Sequence, residues 1–392
     1  MTEEPTNATA AAVIMAGIPS TNAALYHRLR FSVGDPTVYL QLPSANGPSR
    51  RLLILRDIEM DRARRFARVD QVACPADFAP SGGLSGDRET ATAQAAAECL
   101  RRAGVRRAIG DRTLPLIYAE FLRREGISLE CDPALGLVDR RRKDPQEIAW
   151  LSQAQAVTEE VIQRACQFIA RAPARADGVL LDNNQPLTSE RVRAMVDHWL
   201  LDRGYANPPS IIAGGPVGGD CHDLGHGELR TGQPVIVDVF PRSRETLYYG
   251  DCTRSVVHGD VPDEIRRMHA AVCKARRAGI AAVREGVTGE AVHQATIDVI
   301  HREGYATGLP AADAPLSYCA MVHGTGHGVG LDCHEPPLLD FLGPPLLAGD
   351  AVTIEPGLYR RDLGGVRVED MVIVTPDGCT NLNHLPEGLD WK

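Results

Sequence analysis

An α/β (α+β) protein of two domains is what this sequence predicts, and three observations carry that expectation. The first is length: 392 residues exceed what one hydrophobic core usually supports, and at about 150 residues per domain two is the natural number. The second is an N-terminal third in which short apolar runs alternate with stretches of helical period. The third is a C-terminal part in which strand-like runs carry acid and a helix-end motif occurs twice. The boundary falls in a basic stretch, Arg140-Arg-Arg-Lys-Asp-Pro-Gln146, giving domains 1–140 and 141–392.

In chain order, Thr37–Leu42 and Arg51–Arg56 have strand composition, and Glu89–Ala103 and Leu114–Arg124 have helical period. No convergent set of polar residues lies among them, so this domain reads as structural or substrate-shaping. After the boundary, Ile148, Leu151, Ala154, Val157, Val161, Ala165 and Phe168 form one stripe of a long amphipathic helix. Two further helices end in related sequences, Asp202-Arg-Gly-Tyr-Ala-Asn-Pro208 and Arg302-Glu-Gly-Tyr-Ala-Thr-Gly308, with Gly204 and Gly304 suited to the left-handed position after a helix. Their equal spacing suggests a domain of two related halves with a ligand site between them. Strands are expected at Pro234–Phe240, Thr253–Val257, Ala351–Glu355 and Val366–Val374.

Composition narrows the function. A hydrophobic fraction of 44% and a charged fraction of 24% are those of an ordinary soluble protein. A formal charge of −9 gives no general attraction for phosphate backbones, so nucleic acid is not an expected partner. The basic runs Arg101-Arg102, Arg106-Arg107 and Arg140 to Lys143 read as solvated faces. No apolar run reaches the ~18 residues of a membrane span, and Met1 to Gly17 carries early glutamates where a secretory signal needs positive charge. A cytoplasmic protein is expected. Its ten cysteines include no C-x-x-C, so they read as reduced thiols and not as a zinc ribbon or disulfide framework.

The chemistry is carried by acids in apolar surroundings and by one histidine-rich stretch. Asp238, Asp251, Glu355 and Glu369 lie in or beside the expected strands, where an isolated carboxylate costs several kcal/mol unless paired, protonated or bound to a cation. The loop M-V-H-G-T-G-H-G-V-G-L-D-C-H-E-P-P, residues 321–337, supplies His323, His327 and His334 among glycines that let backbone approach an ion or substrate. Alone it fits a solvated turn; with four embedded acids elsewhere it fits a shared metal site. Four carboxylates and His327 form a hard donor set suited to two divalent ions, with manganese the first choice and cobalt, iron and zinc open. G-T-G-H-G-V-G lacks the G-x-G-x-x-G spacing and does not open a helix, which sets a dinucleotide site aside.

The order Asp238 in I-V-D-V-F, Asp251 in G-D-C-T-R, His327 in the histidine-rich stretch, Glu355 in T-I-E-P-G-L-Y and Glu369 in V-R-V-E-D resembles the pita-bread metallopeptidases. More narrowly, it is similar to the Xaa-Pro aminopeptidase and prolidase branch. The resemblance implies a creatinase-like N-terminal domain and a C-terminal pita-bread domain with pseudo-two-fold halves. It also implies two divalent ions on Asp238, Asp251, His327, Glu355 and Glu369, a peptide or dipeptide substrate with proline second, and a homodimer. By the same resemblance Asp238 and Asp251 come from a hairpin and Glu355 shuttles a proton. His323 binds substrate, and His334 steadies the tetrahedral intermediate or the proline end. His222 is the histidine upstream of the first aspartate, with His226 competing for that place. Arg367 stands behind the ligands or at a substrate carboxylate. Asp238 and Asp251 are thirteen residues apart, where this family usually has about eleven; an even insertion keeps both on one sheet face.

Overall fold

A computed structural model describes residues 11–44 and 47–392, and the chain divides into two compact units, Met1–Arg140 and Arg141–Lys392. In the first, a mixed sheet runs in the order Gln71–Ala73, Arg50–Ile54, Thr37–Leu42, Ala12–Gly17, Arg107–Asp111, Ser128–Asp132. The helix Arg88–Arg102, capped by Asp87, lays Ala93, Ala96, Ala97 and Leu100 against Ile14, Val38, Leu40 and Leu52. The central strand Ala12–Gly17 has no counterpart in the sequence reading. Ile14 and Met15 are buried on opposite faces, so A-V-I-M-A-G shows no alternation. The helix expected from Leu114 begins at Leu116, because Pro115 takes the cap position.

The second unit opens with the helix Pro145–Ala170. Asp144 and Glu147 form a reciprocal capping box at its start, and Pro145 takes the first turn, where its missing N–H costs nothing. Val161, Ala165 and Ile169 of this helix meet Val192, Val196 and Leu200 of helix Ser189–Asp202 over Val235, Val237 and Val256 of a three-stranded sheet. That antiparallel sheet runs Ile211–Gly214, Pro234–Val239, Cys252–Val257.

The same arrangement recurs downstream. Helices Asp263–Ala282 and Gly289–Arg302 pack Met268, Val272, Ile297 and Ile300 on Met321, Leu358 and Val366. Each fully buried aliphatic side chain here contributes about 1.5–3 kcal/mol. Thr188 and Thr288 both cap their helices through the side-chain oxygen. Gly204 and Gly304 both take positive φ, at 79° and 87°, ahead of short strands Tyr205–Ala206 and Ala306–Thr307. The duplication suggested by the sequence therefore extends to caps, stops and the strands that follow.

Three expectations need correction. Val366–Val374 is not one strand. Gly364–Arg367 pairs with Gly357–Arg360 in one sheet and Asp370–Thr375 pairs with Ala351–Ile354 in another. Between them Val368 N–H turns to Pro356 O and Glu369 N–H to Thr253 O, so Glu369 sits where the chain crosses sheets. Second, the glycine-rich stretch is not all loop: Gly326–Gly328 is a strand between Glu335–Leu339 and Ala351–Ile354. A Cβ on Gly326 would stand 2.0 Å from Thr353 O, and one on Gly328 2.5 Å from Glu335 O. These glycines make room for neighbouring backbone and not for an ion. Third, the run Arg140 to Lys143 is exposed only at Arg142 and is not a solvated face as a whole. Arg140 is buried, Arg141 pairs with Asp350 at 2.7 Å, and Lys143 pairs with Glu335 at 2.6 Å with both side chains at most 2% exposed. Arg101-Arg102 and Arg106-Arg107 are exposed, as expected.

Candidate metal centre

Asp238 lies in the central strand of the three-stranded sheet, and Asp251 directly precedes its neighbour, Cys252–Val257. Asp238 lies opposite Thr253, and Asp251, two residues earlier, shares the face of Thr253. The long connection between them folds into a side strand, Arg242–Ser243, paired with Tyr205–Ala206. Gln155 of the first helix fixes Asp251 from behind, its amide bonding both the backbone N–H and C=O of Asp251, at 2.9 and 2.7 Å.

The other donors come from the second half. His327 donates from Nδ1 to Gly328 O at 3.1 Å, which turns Nε2 toward Glu355 Oε1 at 3.2 Å and Asp251 Oδ2 at 3.8 Å. A backbone carbonyl that fixes one ring nitrogen and frees the other is what a metal-ligating histidine needs. Thr353 accepts from His327 N–H and donates to Glu355 Oε1, both at 3.1 Å, while Thr253 donates to Glu369 Oε2 at 2.8 Å. Nitrogen or oxygen atoms of Asp251, His327 and Glu369 lie within 4.8 Å of one another. All five expected ligands, with His222, His323, His334 and Arg367, line one cavity of about 260 Å³.

The electrostatics of this cluster call for positive charge. Burial raises the carboxyls of Asp251 and Glu369 well above the usual range, and neighbouring carboxylates raise both further. Burial also raises Asp238, against the pull of Arg367. Burial works against the charge of Glu355 as well, but the His327 hydrogen bond outweighs it and holds that acid at about 2. Burial disfavours a proton on His327, yet Glu355 and Asp251 hold it there, up to about 9. Asp238 Oδ1 is buried with no hydrogen-bond partner. An orphaned carboxylate oxygen among mutually repelling acids fits a bound cation, which would replace the proton on His327.

The remaining expected residues separate by their contacts. Arg367 donates to Asp238 Oδ2 at 2.6 Å and to Tyr359 Oη at 2.7 Å. Tyr359 in turn donates to His323 Nε2 at 2.7 Å, and His323 Nδ1 donates to Gly324 O at 2.8 Å. Both nitrogens of His323 are therefore engaged within the protein, and burial lowers its basicity. The ring of His334 lies 4.0 Å from that of His327, and burial followed by the charge of His327 lowers its basicity. His222 lines the cavity; His226 does not, and its side chain is 68% exposed.

Sequence reasoning missed Gln155, Tyr359, Cys333 and the two threonines. Cys333 lines the cavity with its thiol 3.6 Å from Asp251 Oδ2. The threonines had a readable signal, since Thr253 and Thr353 each stand two residues from an acid in a strand and share its face.

The sequence model of metallopeptidase family M24 matches residues 149–376, more than half of the chain. The chain belongs to metallopeptidase family M24. Within that family it is 32% identical over 259 residues to a probable dipeptidase, PepE, of Mycobacterium tuberculosis, a match covering 64% of this chain and 60% of the relative. The chain thus spans about three fifths of that relative's length. An Xaa-Pro dipeptidase from Bacillus anthracis shares the fold of this M24 protein, with TM-score 0.78 at 22% identity over 96% of this chain and 94% of that one. An X-Pro aminopeptidase from Thermotoga maritima does so with TM-score 0.76 at 21% identity over 96% of each. The sheet-and-helix halves of the M24 region are the pita-bread fold, as the resemblance implied.

Proposed function

We propose that this protein is an exopeptidase with two divalent metal ions that releases the residue ahead of proline from the N-terminus of peptides, an Xaa-Pro aminopeptidase. Asp238, Asp251, His327, Glu355 and Glu369 would hold the ions, with manganese the first choice for so oxygen-rich a set. When bound, the ions lower the pKa of a water and polarise the scissile carbonyl. Glu355, 3.2 Å from His327, would take a proton from the attacking water and return it to the departing nitrogen. That return matters for an Xaa-Pro bond, because its amide nitrogen carries no proton. His334 reaches into the cavity from above His327, where it can donate to the oxyanion. Arg367 and Tyr359 hold Asp238 and His323 in place, and a role for His323 on substrate would draw on the face of its ring.

The choice of aminopeptidase rests on one observation. Among the described residues lining the cavity, Arg367 is the sole lysine or arginine, and it is engaged by Asp238 and Tyr359. A dipeptidase needs a cation free to clamp the substrate's carboxylate, whereas an aminopeptidase needs space beyond proline. The competing dipeptidase reading is favoured by the likeness to PepE. Rates on matched Xaa-Pro and Xaa-Pro-Yaa peptides test the choice. Faster turnover of the tripeptides is expected, and cleavage of dipeptides alone would overturn it. A preference for Xaa-Ala over Xaa-Pro at equal length would remove the proline assignment.

His334→Ala is expected to lower kcat/KM by roughly 10²-fold, the usual loss of one oxyanion donor, with metal content near that of the wild type. Elemental analysis of the purified variant checks this. Loss of a metal equivalent would make His334 a ligand instead.

A further inference from the structure

The cavity holds five acids, of which four are committed to the metal centre. Asp238 bonds Arg367, Asp251 and Glu355 face His327, and Glu369 accepts from Thr253. The fifth, Asp340, follows the strand Glu335–Leu339 and is different in kind. Its side chain is 34% exposed, so of the five it is the one within ready reach of solvent. Its Oδ1 accepts from Phe341 N–H at 2.7 Å and lies 3.4 Å from His293 Nε2, while Gly343 N–H holds its carbonyl at 2.9 Å. Among the described residues no donor reaches Oδ2. That oxygen lies 3.0 Å from the point a Cβ on Gly324 would occupy, and Gly324 lines the cavity beside His323. Gly324 needs no positive φ; it leaves the room that the carboxyl of Asp340 fills.

A carboxylate held rigidly by one oxygen, with the other turned along the cavity wall, recognises a cation. Resting on the Xaa-Pro reading, we propose that Asp340 selects substrates whose first residue carries a positively charged side chain. The carbonyl under attack must lie at the five donors, and the N-terminal ammonium is only two bonds from it. Both therefore stay at the buried end. The group that extends from the first residue to the half-exposed rim is its side chain, so lysine or arginine ahead of proline completes the unpaired side of Asp340. Leu338, in the same wall, packs along the aliphatic stem of such a side chain.

The test compares kcat/KM for Lys-Pro-Ala, norleucine-Pro-Ala and Glu-Pro-Ala in the wild type, Asp340→Asn and Asp340→Lys. Lysine should exceed norleucine by roughly 2–5-fold at low salt, as for a partly exposed ion pair. The ratio should fall to near one in Asp340→Asn, and Asp340→Lys should favour glutamate over lysine. A ratio unchanged in Asp340→Asn, or a lysine preference that appears in Ala-Pro-Lys instead, overturns the assignment. The affinities of uncleavable analogues of the same peptides, with a reduced scissile amide, for the wild-type protein, measured by calorimetry, read the contact without turnover. A lysine-to-norleucine ratio of one there also overturns it. Equal or better cleavage of the Xaa-Ala-Ala series would sink the proline reading alone, because the lysine-to-norleucine ratio would still report on Asp340.

Discussion

Asp251→Ala and Glu369→Ala proteins are expected to lose kcat by at least about three orders of magnitude and to purify with less metal than the wild type. Each of these acids is at most 4% exposed and is raised by burial and by its neighbours' charge. Neither has an ordinary structural reason to be there. Thermal unfolding offers a readout that does not depend on catalysis. Manganese at 100 times its Kd should add about 2.7 kcal/mol to the stability of the wild type, and that increment should shrink in both variants. A metal-stripped wild type with full activity would remove the metal reading altogether.

Lys143→Met is expected to destabilise the second unit by about 3–5 kcal/mol, because it strips a buried carboxylate, Glu335, of a partner 2.6 Å away. Adding Glu335→Leu should recover part of that loss, since an apolar pair of similar volume no longer has a charge to solvate. Glu335 directly follows His334, so the single variant should also lower kcat by moving the loop that carries it. Urea unfolding of the single and double variants measures the first effect, and rates in the folded baseline measure the second. Equal stability of Lys143→Met and wild type would return Lys143 to the solvated face that its basic neighbours suggest.

These two cases mark what the sequence could and could not reveal. The acids were legible because a carboxylate in an apolar strand is anomalous in its own neighbourhood, and the order of motifs from Asp238 to Glu369 then made the family readable. The helix stops at Gly204 and Gly304 were legible for the same local reason, whereas the caps Thr188 and Thr288 were not singled out. Lys143 with Glu335, and Gln155 with Asp251, were not, because each pair joins residues 192 and 96 positions apart with nothing local to link them. The break at Glu369 was hidden in a similar way. V-R-V-E-D-M-V-I-V has the composition of one strand, and only its two partners, Gly357–Arg360 and Ala351–Ile354, divide it. Asp340 escaped notice because it sits after a short strand, where a turn aspartate is ordinary; its geometry gives it meaning.

The five proposed ligands are not evenly owned. Asp238 and Asp251 belong to the half built on helices Pro145–Ala170 and Ser189–Asp202, and His327, Glu355 and Glu369 to the half built on helices Asp263–Ala282 and Gly289–Arg302. Neither share alone amounts to a site for two ions. Polypeptides severed in the connection between the halves should each be inert when expressed separately, yet reconstitute when mixed, with manganese concentration setting the yield of reassembled enzyme. The ions would then add to the buried pairs that already join the halves, Arg254 with Asp370 and Arg367 with Asp238.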